Sequence, residues 1–284
     1  MTEVMIFGAG GQLGRELVRI FPESARIYHA SNTGGIAVDL SDLGDVSRII
    51  MELKPKIVIN AAALANVDLC EKDHPLAYAV NGEAVGAMAS ASRKIGAKLV
   101  HVSTDYVFDG NLGNYRESAT PNPINYYGLS KLVGDIYALS YEHSIVIRTS
   151  GVFGYTRNFP LFVLEKLNKG EQVNAMEGYY SPIHAANLAA SISALTKNDF
   201  TGLINIAGDR VSRHDLAIRI AKTFEMDASL VHETRNVVSM NAKRPLDSSL
   251  DNSLAISMLG FDFHSLASNM KAMKDTMDKQ EKGN

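Results

Sequence analysis

The sequence predicts a doubly wound α/β fold, a parallel sheet covered by helices on both faces, with a smaller α-rich C-terminal lobe. Three observations predict it. Short apolar runs alternate with helical stretches through the first half, a glycine-rich turn joins the first run to the first helix, and the strand rhythm loosens after about Gly154. Strands separated by helices of this length imply right-handed crossovers and therefore parallel pairing.

The first strand is Val4-Met5-Ile6-Phe7, closed by Gly8, and the helical periodicity over 12–21 follows it. A second strand over 26–29 leads to a helix over 42–53 and a third strand over 56–60. The long helical pattern over 75–94 precedes a fourth strand at 98–102, and a helix over 125–142 precedes a fifth at 144–149. Beyond it come a helix over 159–169, an extended run at 172–175, a Gly-Tyr-Tyr-Ser-Pro loop at 178–182, helices near 184–196 and 212–224, and one more strand at 203–207. The charged tail over 274–284 is expected to fray.

Composition narrows the function. With 46% hydrophobic and 21% charged residues in 284, the chain is ordinary globular protein rather than a disordered, collagen-like or coiled-coil one. Its 28 Lys and Arg are scattered and its net charge is −3, which gives no footprint for a nucleic-acid partner. No apolar stretch approaches the roughly 20 residues that span a bilayer, and no leader precedes the first strand, so a soluble, cytoplasmic protein without membrane partner is expected. Cys70 is the one cysteine, which excludes an internal disulfide and a multi-thiolate metal site; on a helix it reads as a small buried hydrophobe. Asp68 and Glu71, one helical turn apart without His or Cys partners, read as a solvated face, and no metal is expected.

The run Gly8-Ala9-Gly10-Gly11-Gln12-Leu13-Gly14 follows the first strand and opens the first helix. Such glycines permit a tight turn and close approach of backbone to a pyrophosphate, while the helix N-terminus offers N–H groups and positive dipole. This strand-turn-helix context reads as a dinucleotide site. An acid at the end of the second strand would bind a ribose 2′-hydroxyl and repel a 2′-phosphate, but the residues there are Tyr28-His29-Ala30-Ser31-Asn32. Ser31 and Asn32 are therefore read as cofactor ligands, with Arg15 as a charge partner, and NADP(H) is preferred with NAD(H) admitted. Asp39, followed by Leu40, sits where a carboxylate meets an adenine amino group; equally, Asp39 reads as the N-cap of the next helix. The small residues Ala61, Ala62 and Ala63 let a cofactor lie on the sheet edge.

Ser103-Thr104-Asp105-Tyr106 ends the fourth strand at that same edge, and Tyr127 and Lys131 stand at i and i+4 on the following helix. A phenol titrates near 10 and works as an acid–base group only when its surroundings tune it. Lys131 is expected to favour the phenolate of Tyr127 and hold a nicotinamide ribose, Thr104 to bond a substrate carbonyl oxygen, and Tyr127 to donate the proton that balances hydride delivery. His101 lies in an apolar run and reads as buried, His184 and His214 as surface or capping residues, and Tyr179-Tyr180 as lining a substrate lobe or packing a loop.

On these motifs the chain resembles the extended short-chain dehydrogenases/reductases, and within them the dTDP-4-dehydrorhamnose reductase family. Gly11-Gln12-Leu13-Gly14, Val67-Asp68, the run from Ser103 to Gly110, Tyr127 to Lys131, Arg148-Thr149-Ser150, Asn158-Phe159 and Lys243-Arg244-Pro245 through Leu250-Asp251 match in order across nearly the whole chain. The resemblance implies an NADPH-dependent reductase of the 4-keto group of a nucleotide-linked 6-deoxy sugar, dTDP-4-dehydrorhamnose above all. It makes Thr104, Tyr127 and Lys131 catalytic, puts Asp105, Tyr106 and Asn158 on the sugar side, and sets Arg244 on the nucleotide diphosphate. It further implies a Rossmann NADP(H) domain over 1–154 that also receives elements near 184–207, a substrate lobe over 155–284, and a homodimer.

Related 4,6-dehydratases carry Asp-Glu after the Thr, whereas Tyr106 follows Asp105 here, which favours simple reduction. Gly151 replaces the family's Trp after Arg-Thr-Ser, and Leu64-Ala65 and Ile183 replace Tyr-Thr and Thr, all around the sugar pocket. Two further readings stand beside the first. One is a non-catalytic NADP-binding regulatory subunit similar to the methionine adenosyltransferase β subunit; the other is a reductase or epimerase of another nucleotide sugar.

Overall fold

A computed structural model describes residues 3–21, 26–30, 35–154, 158–235 and 241–282, with the backbone alone described at 26–30 and 279–282. The first half runs β1 (Glu3–Phe7), α1 (Gln12–Ile20), β2 (Arg26–Ala30), α2 (Leu43–Leu53), β3 (Ile57–Asn60), α3 (Val67–Lys72), α4 (His74–Tyr78), α5 (Ala84–Ile95), β4 (Lys98–Thr104), α6 (Tyr126–Leu139) and β5 (Ser144–Phe153). The second runs α7 (Phe159–Asn168), β6 (Val173–Met176), β7 (Tyr179–Tyr180), β8 (Pro182–His184), α8 (Ala185–Leu195), β9 (Gly202–Asn205), β10 (Val211–Ser212), α9 (Arg213–Thr223), β11 (Val231–Thr234), α10 (Ser253–Leu259) and α11 (Leu266–Lys282). A π-helical turn over Ala79–Glu83 interrupts the predicted long helix between α4 and α5.

Seven strands form one parallel sheet in the order β2-β1-β3-β4-β5-β8, with β9 on the first half of β5. The chain leaves β1 for β2 and returns on the other side as β3, so the switch point where open α/β sheets bind ligands lies beyond the ends of β1 and β3. The strands read as unbroken apolar runs because both faces are covered. Val4 and Ile6 point with Ile145 and Ile147 toward Leu13 and Leu17 of α1 and Leu188 of α8. Met5 and Phe7 point with Val58 and Leu99 toward Ile50 of α2 and Met88 of α5.

A third apolar cluster joins Val163 and Leu164 of α7, Leu216 and Ile220 of α9, Val173, Val231, and Met270 and Met273 of α11. Two small sheets, β6 with β11 and β7 with β10, belong to this part of the chain. The expectation that 274–284 frays is corrected as far as Lys282, since α11 continues to that residue. Met270, Met273 and Thr276 recur on one buried stripe of the helix, which a count of charges along the tail does not reveal.

His184 does cap α8, its Nδ1 accepting the Ala186 N–H at 3.2 Å, but it is fully buried rather than at the surface. Burial lowers its pKa from 6.5 to about 4. The unfolded chain therefore binds a proton below pH 6.5 that the folded chain refuses until about pH 4, and stability drains away over that window as pH falls. Replacement by Asn, which still caps, is expected to reduce the loss of unfolding free energy between about pH 7 and about pH 4.5 by on the order of 2 kcal/mol. Denaturant titrations of both proteins at the two pH values measure it; equal losses refute it.

Candidate active site

The glycine turn is built for backbone without side chains. Gly8 has φ +80°, and a Cβ there would lie 2.8 Å from Ala62 N, so β1 and the loop after β3 come together only over glycine. A Cβ on Gly14 would lie 2.1 Å from the Gly8 carbonyl oxygen, which seats α1 against the turn. Gly11 caps α1 without a side-chain bond, leaving N–H groups of the first turn for a ligand. Gly8, Gly10, Gly11, Asp39, Leu40 and Ala61 to Ala63 line a cleft of about 970 Å³ at the switch point.

Two of the expected cofactor residues, Leu13 and Gln12, stand apart from this cleft. Leu13 is buried in the apolar cluster under α1 and offers only backbone. Gln12 reaches across instead, its Oε1 accepting the Asn158 amide at 3.1 Å. Ser31 and Asn32 lie outside the described residues. Arg15 is exposed beside the turn, its Nε donating to the Gly10 carbonyl at 3.1 Å. The capping reading of Asp39 is corrected: Asp42 caps α2 through the Asp45 N–H, while exposed Asp39 accepts from the Ser41 N–H and hydroxyl at 2.9 and 2.7 Å.

At the end of β4 the backbone enters a single 3-10 turn over Asp105–Val107, capped by Thr104, which accepts the Tyr106 N–H at 3.2 Å. A Cβ on Gly128 would lie 2.0 Å from the Tyr106 carbonyl oxygen, so only glycine lets α6 begin directly on this turn. Asn125 caps α6 through the Gly128 N–H at 2.8 Å and donates to the Lys243 carbonyl at 2.9 Å. The result sets Tyr127 beside Thr104 and edge-on to Tyr106, ring centroids 5.9 Å apart. Burial pushes the Tyr127 phenol upward, with the Thr104 hydroxyl opposing.

Lys131 follows Tyr127 on α6. It lies one helical turn deeper, 2% exposed, with Nζ donating to the Val102 carbonyl at 2.7 Å and 3.3 Å from His101 Nε2. Burial lowers its pKa to about 8. Burial, the largest cause of the Tyr127 shift, favours its protonated form.

The sequence reading missed the buried polar row behind Lys131. Asn60 Nδ2 lies 3.1 Å from His101 Nδ1, and Asp135 accepts from Arg148 Nε at 3.1 Å, all four residues buried. It also missed Asn81 in the π turn, which bonds the Leu64 N–H, the Leu64 carbonyl and the Ser130 hydroxyl and so ties the loop after β3 to α6. A π turn next to a functional helix is a common device, but a lone Asn in a helical pattern does not announce it.

Of the residues expected on the sugar side, Asp105 is 3% exposed and its carboxylate accepts from Thr104 at 3.1 Å, Ser150 at 2.7 Å and Ser248 at 2.5 Å. Asn158 caps α7 through the Leu161 N–H. Arg244 pairs with Asp68 at 3.0 Å beside a second cavity of about 350 Å³ lined also by Lys243 and Arg235. Asp68 therefore is not a solvated face: its other oxygen accepts the Asn241 and Ala242 N–H groups at 3.0 Å. Glu71 likewise accepts the Tyr126 N–H at 2.9 Å. Cys70 is buried as expected, and no cluster able to hold a metal occurs among the described residues. Gly151, where the resemblance puts Trp, has φ +48°, and a Cβ there would fall 2.6 Å from the Tyr180 ring; that volume belongs here to Tyr180.

A cleft at the switch point and, at the end of β4 on the same edge of the sheet, a threonine and a tyrosine hydroxyl side by side make the arrangement of the extended short-chain dehydrogenases/reductases, a class of oxidoreductases. The family model described as RmlD substrate binding domain matches residues 1–279. A dTDP-4-dehydrorhamnose reductase of Aggregatibacter actinomycetemcomitans is 33% identical over 273 residues, 88% of this chain and 91% of that protein. The chain belongs to the dTDP-4-dehydrorhamnose reductase family. A solved structure from Sulfolobus tokodaii, described as a hypothetical dTDP-4-dehydrorhamnose reductase, is 44% identical with a TM-score of 0.91, covering 96% of this chain and 99% of its own. Another such reductase, from Bacillus anthracis and in complex with NADP, is 28% identical with a TM-score of 0.89, covering 98% and 100%. No helix among the described residues is long and apolar enough to cross a membrane.

Proposed function

We propose that the chain reduces the 4-keto group of a nucleotide-linked 6-deoxy sugar, dTDP-4-dehydrorhamnose to dTDP-L-rhamnose, using NADPH in preference to NADH. The observation that carries this reading is the Thr104–Tyr127 pair at the end of β4, on the same edge of the parallel sheet as a cleft whose glycines leave no room for a Cβ and whose helix start is uncapped by side chain. A dinucleotide fits that cleft, and when bound its nicotinamide supplies the hydride for the carbonyl carbon. Tyr127 holds its proton at neutral pH because burial raises the phenol, and it donates that proton to the carbonyl oxygen. Thr104 Oγ1 accepts the Tyr106 N–H and donates its one proton to Asp105; turning that proton from Asp105 to the carbonyl would orient the same oxygen. Lys131 stands deeper, ready for a ribose hydroxyl, and Arg244 and Lys243 offer charge to a diphosphate beside the second cavity.

Tyr106 in place of an acid after Asp105 supports reduction without elimination of water. In this reading residues 1–154, with the elements near 184–207, carry the cofactor and the remainder of 155–284 carries the sugar. The test mixes purified protein and NADPH with dTDP-4-keto-6-deoxyglucose, alone and after 3,5-epimerisation, and follows the absorbance of the reduced cofactor. Oxidation with the epimerised sugar only is expected. Tight NADP binding without turnover on any sugar would overturn catalysis in favour of a regulatory subunit.

A further inference from the structure

Two buried polar atoms on the wall beyond Tyr106 have no partner among the described residues: the hydroxyl of Tyr180 and Nη1 of Arg213. Tyr180 is 8% exposed and ends β7, while Arg213 opens α9 directly after β10. Antiparallel pairing of Val211 with Tyr180 brings the two together, and the guanidinium lies 4.8 Å from the centre of the Tyr180 ring. Two glycines make the arrangement fit. Gly151 presents bare backbone to the Tyr180 ring, and a Cβ on Gly178 would lie 2.9 Å from Arg213 Nη1.

These groups adjoin the reacting hydroxyls. Arg213 stands beside the Tyr106 phenol, and Tyr106 lies edge-on to Tyr127. Asp105 accepts from Thr104, Ser150 and Ser248 and bonds neither atom; Arg213 bonds the Tyr106 phenol, which leaves Nη1 unmet. An arginine N–H only donates and a phenol donates readily, so what is missing is an acceptor oxygen from outside the chain. An apolar edge of a ligand set here would leave both donors buried and unmet, which is costly.

We infer that Tyr180 and Arg213 determine specificity by donating to the hydroxyl oxygen on the sugar carbon next to the reacting carbonyl. This rests on the nucleotide-sugar reading above. A pocket built to bond a hydroxyl rejects the analogue that lacks it far more strongly than an apolar pocket rejects a missing methylene.

The test compares wild type, Tyr180→Phe and Arg213→Gln on the epimerised 4-keto nucleotide sugar and on its 3-deoxy analogue, with NADPH affinity and thermal midpoint measured for each. Each variant is expected to lose kcat/KM on the hydroxylated sugar by on the order of 10- to 100-fold and to differ little from wild type on the 3-deoxy analogue, at unchanged NADPH affinity. Equal losses on both sugars, or none, overturn the inference while leaving the reductase reading intact. Failure of the wild type to reduce any nucleotide-linked 4-keto sugar removes both. Should Arg213→Gln melt well below wild type, Tyr180→Phe decides alone, since it removes one oxygen that bonds nothing in the chain.

Discussion

Replacing Tyr127 by phenylalanine is expected to lower turnover by a factor on the order of a hundred to ten thousand while leaving the dissociation constant for NADPH nearly unchanged. The change deletes one hydroxyl from a ring that stays edge-on to Tyr106, so the helix start, pressed onto the 3-10 turn through Gly128, keeps its place. The cofactor cleft is lined from β1, β3 and the glycine turn and loses nothing. What disappears is the proton source. The direction of the pKa shift sharpens the expectation: a phenol raised by burial remains protonated throughout the neutral range, so Tyr127 itself imposes no alkaline fall in the reduction rate below about pH 10. A fall near pH 8 that survives Tyr127→Phe would belong to Lys131, whose pKa lies there. Steady-state rates across pH and a fluorescence titration of NADPH measure both parts; undiminished turnover would remove Tyr127 from the reaction.

The parts of this site that were legible in the sequence are those set by local pattern. A glycine triplet between strand and helix, and hydroxyls at the ends of strands, need no knowledge of what lies across the sheet. Lys131 shows where that stops. Its spacing from Tyr127 puts both on one side of α6, but which group the ammonium meets depends on β4, where the Val102 carbonyl accepts from it beside the His101 ring. Asp39 and Asp42 illustrate a finer ambiguity, since either acid suits a cap and only the phase of the helix selects Asp42. Asp68 and Arg244 are hidden for the opposite reason, being 176 positions apart and joined only by the fold. Likewise α11 earns its place through a methionine stripe buried against the second half of the chain, which its charged residues disguise.

Asp135→Ala is expected to destabilise the protein by about 3–5 kcal/mol, a fall in melting midpoint of roughly 10 °C. Asp135 is 1% exposed and faces Arg148, itself 3% exposed on β5, so its removal leaves a guanidinium in the interior, over the Phe108 ring at 5.2 Å, without its carboxylate. The hydrogen-bond directions extend the effect toward the site. The Ala62 N–H can only donate, which fixes Asn60 Oδ1 as its acceptor and turns the Asn60 amide nitrogen toward His101 Nδ1. A neutral His101 then carries its proton on Nε2, the atom that faces both Lys131 and Asp135, 3.3 and 3.9 Å away. Burial keeps that ring neutral, and the Asp135 charge raises the pKa of Lys131 against its own burial. Losing Asp135 should therefore also move the Lys131 titration further below pH 8. The double variant Asp135→Ala, Arg148→Met separates the two consequences. Removing both charges with apolar volume restores most of the stability, because an emptied buried pair costs far less than a broken one. It does not restore the Lys131 titration, since the carboxylate is still absent. Recovery of stability and of the alkaline limb together would show that Asp135 serves Arg148 alone; no recovery of stability would show that the pair is not the source of the loss.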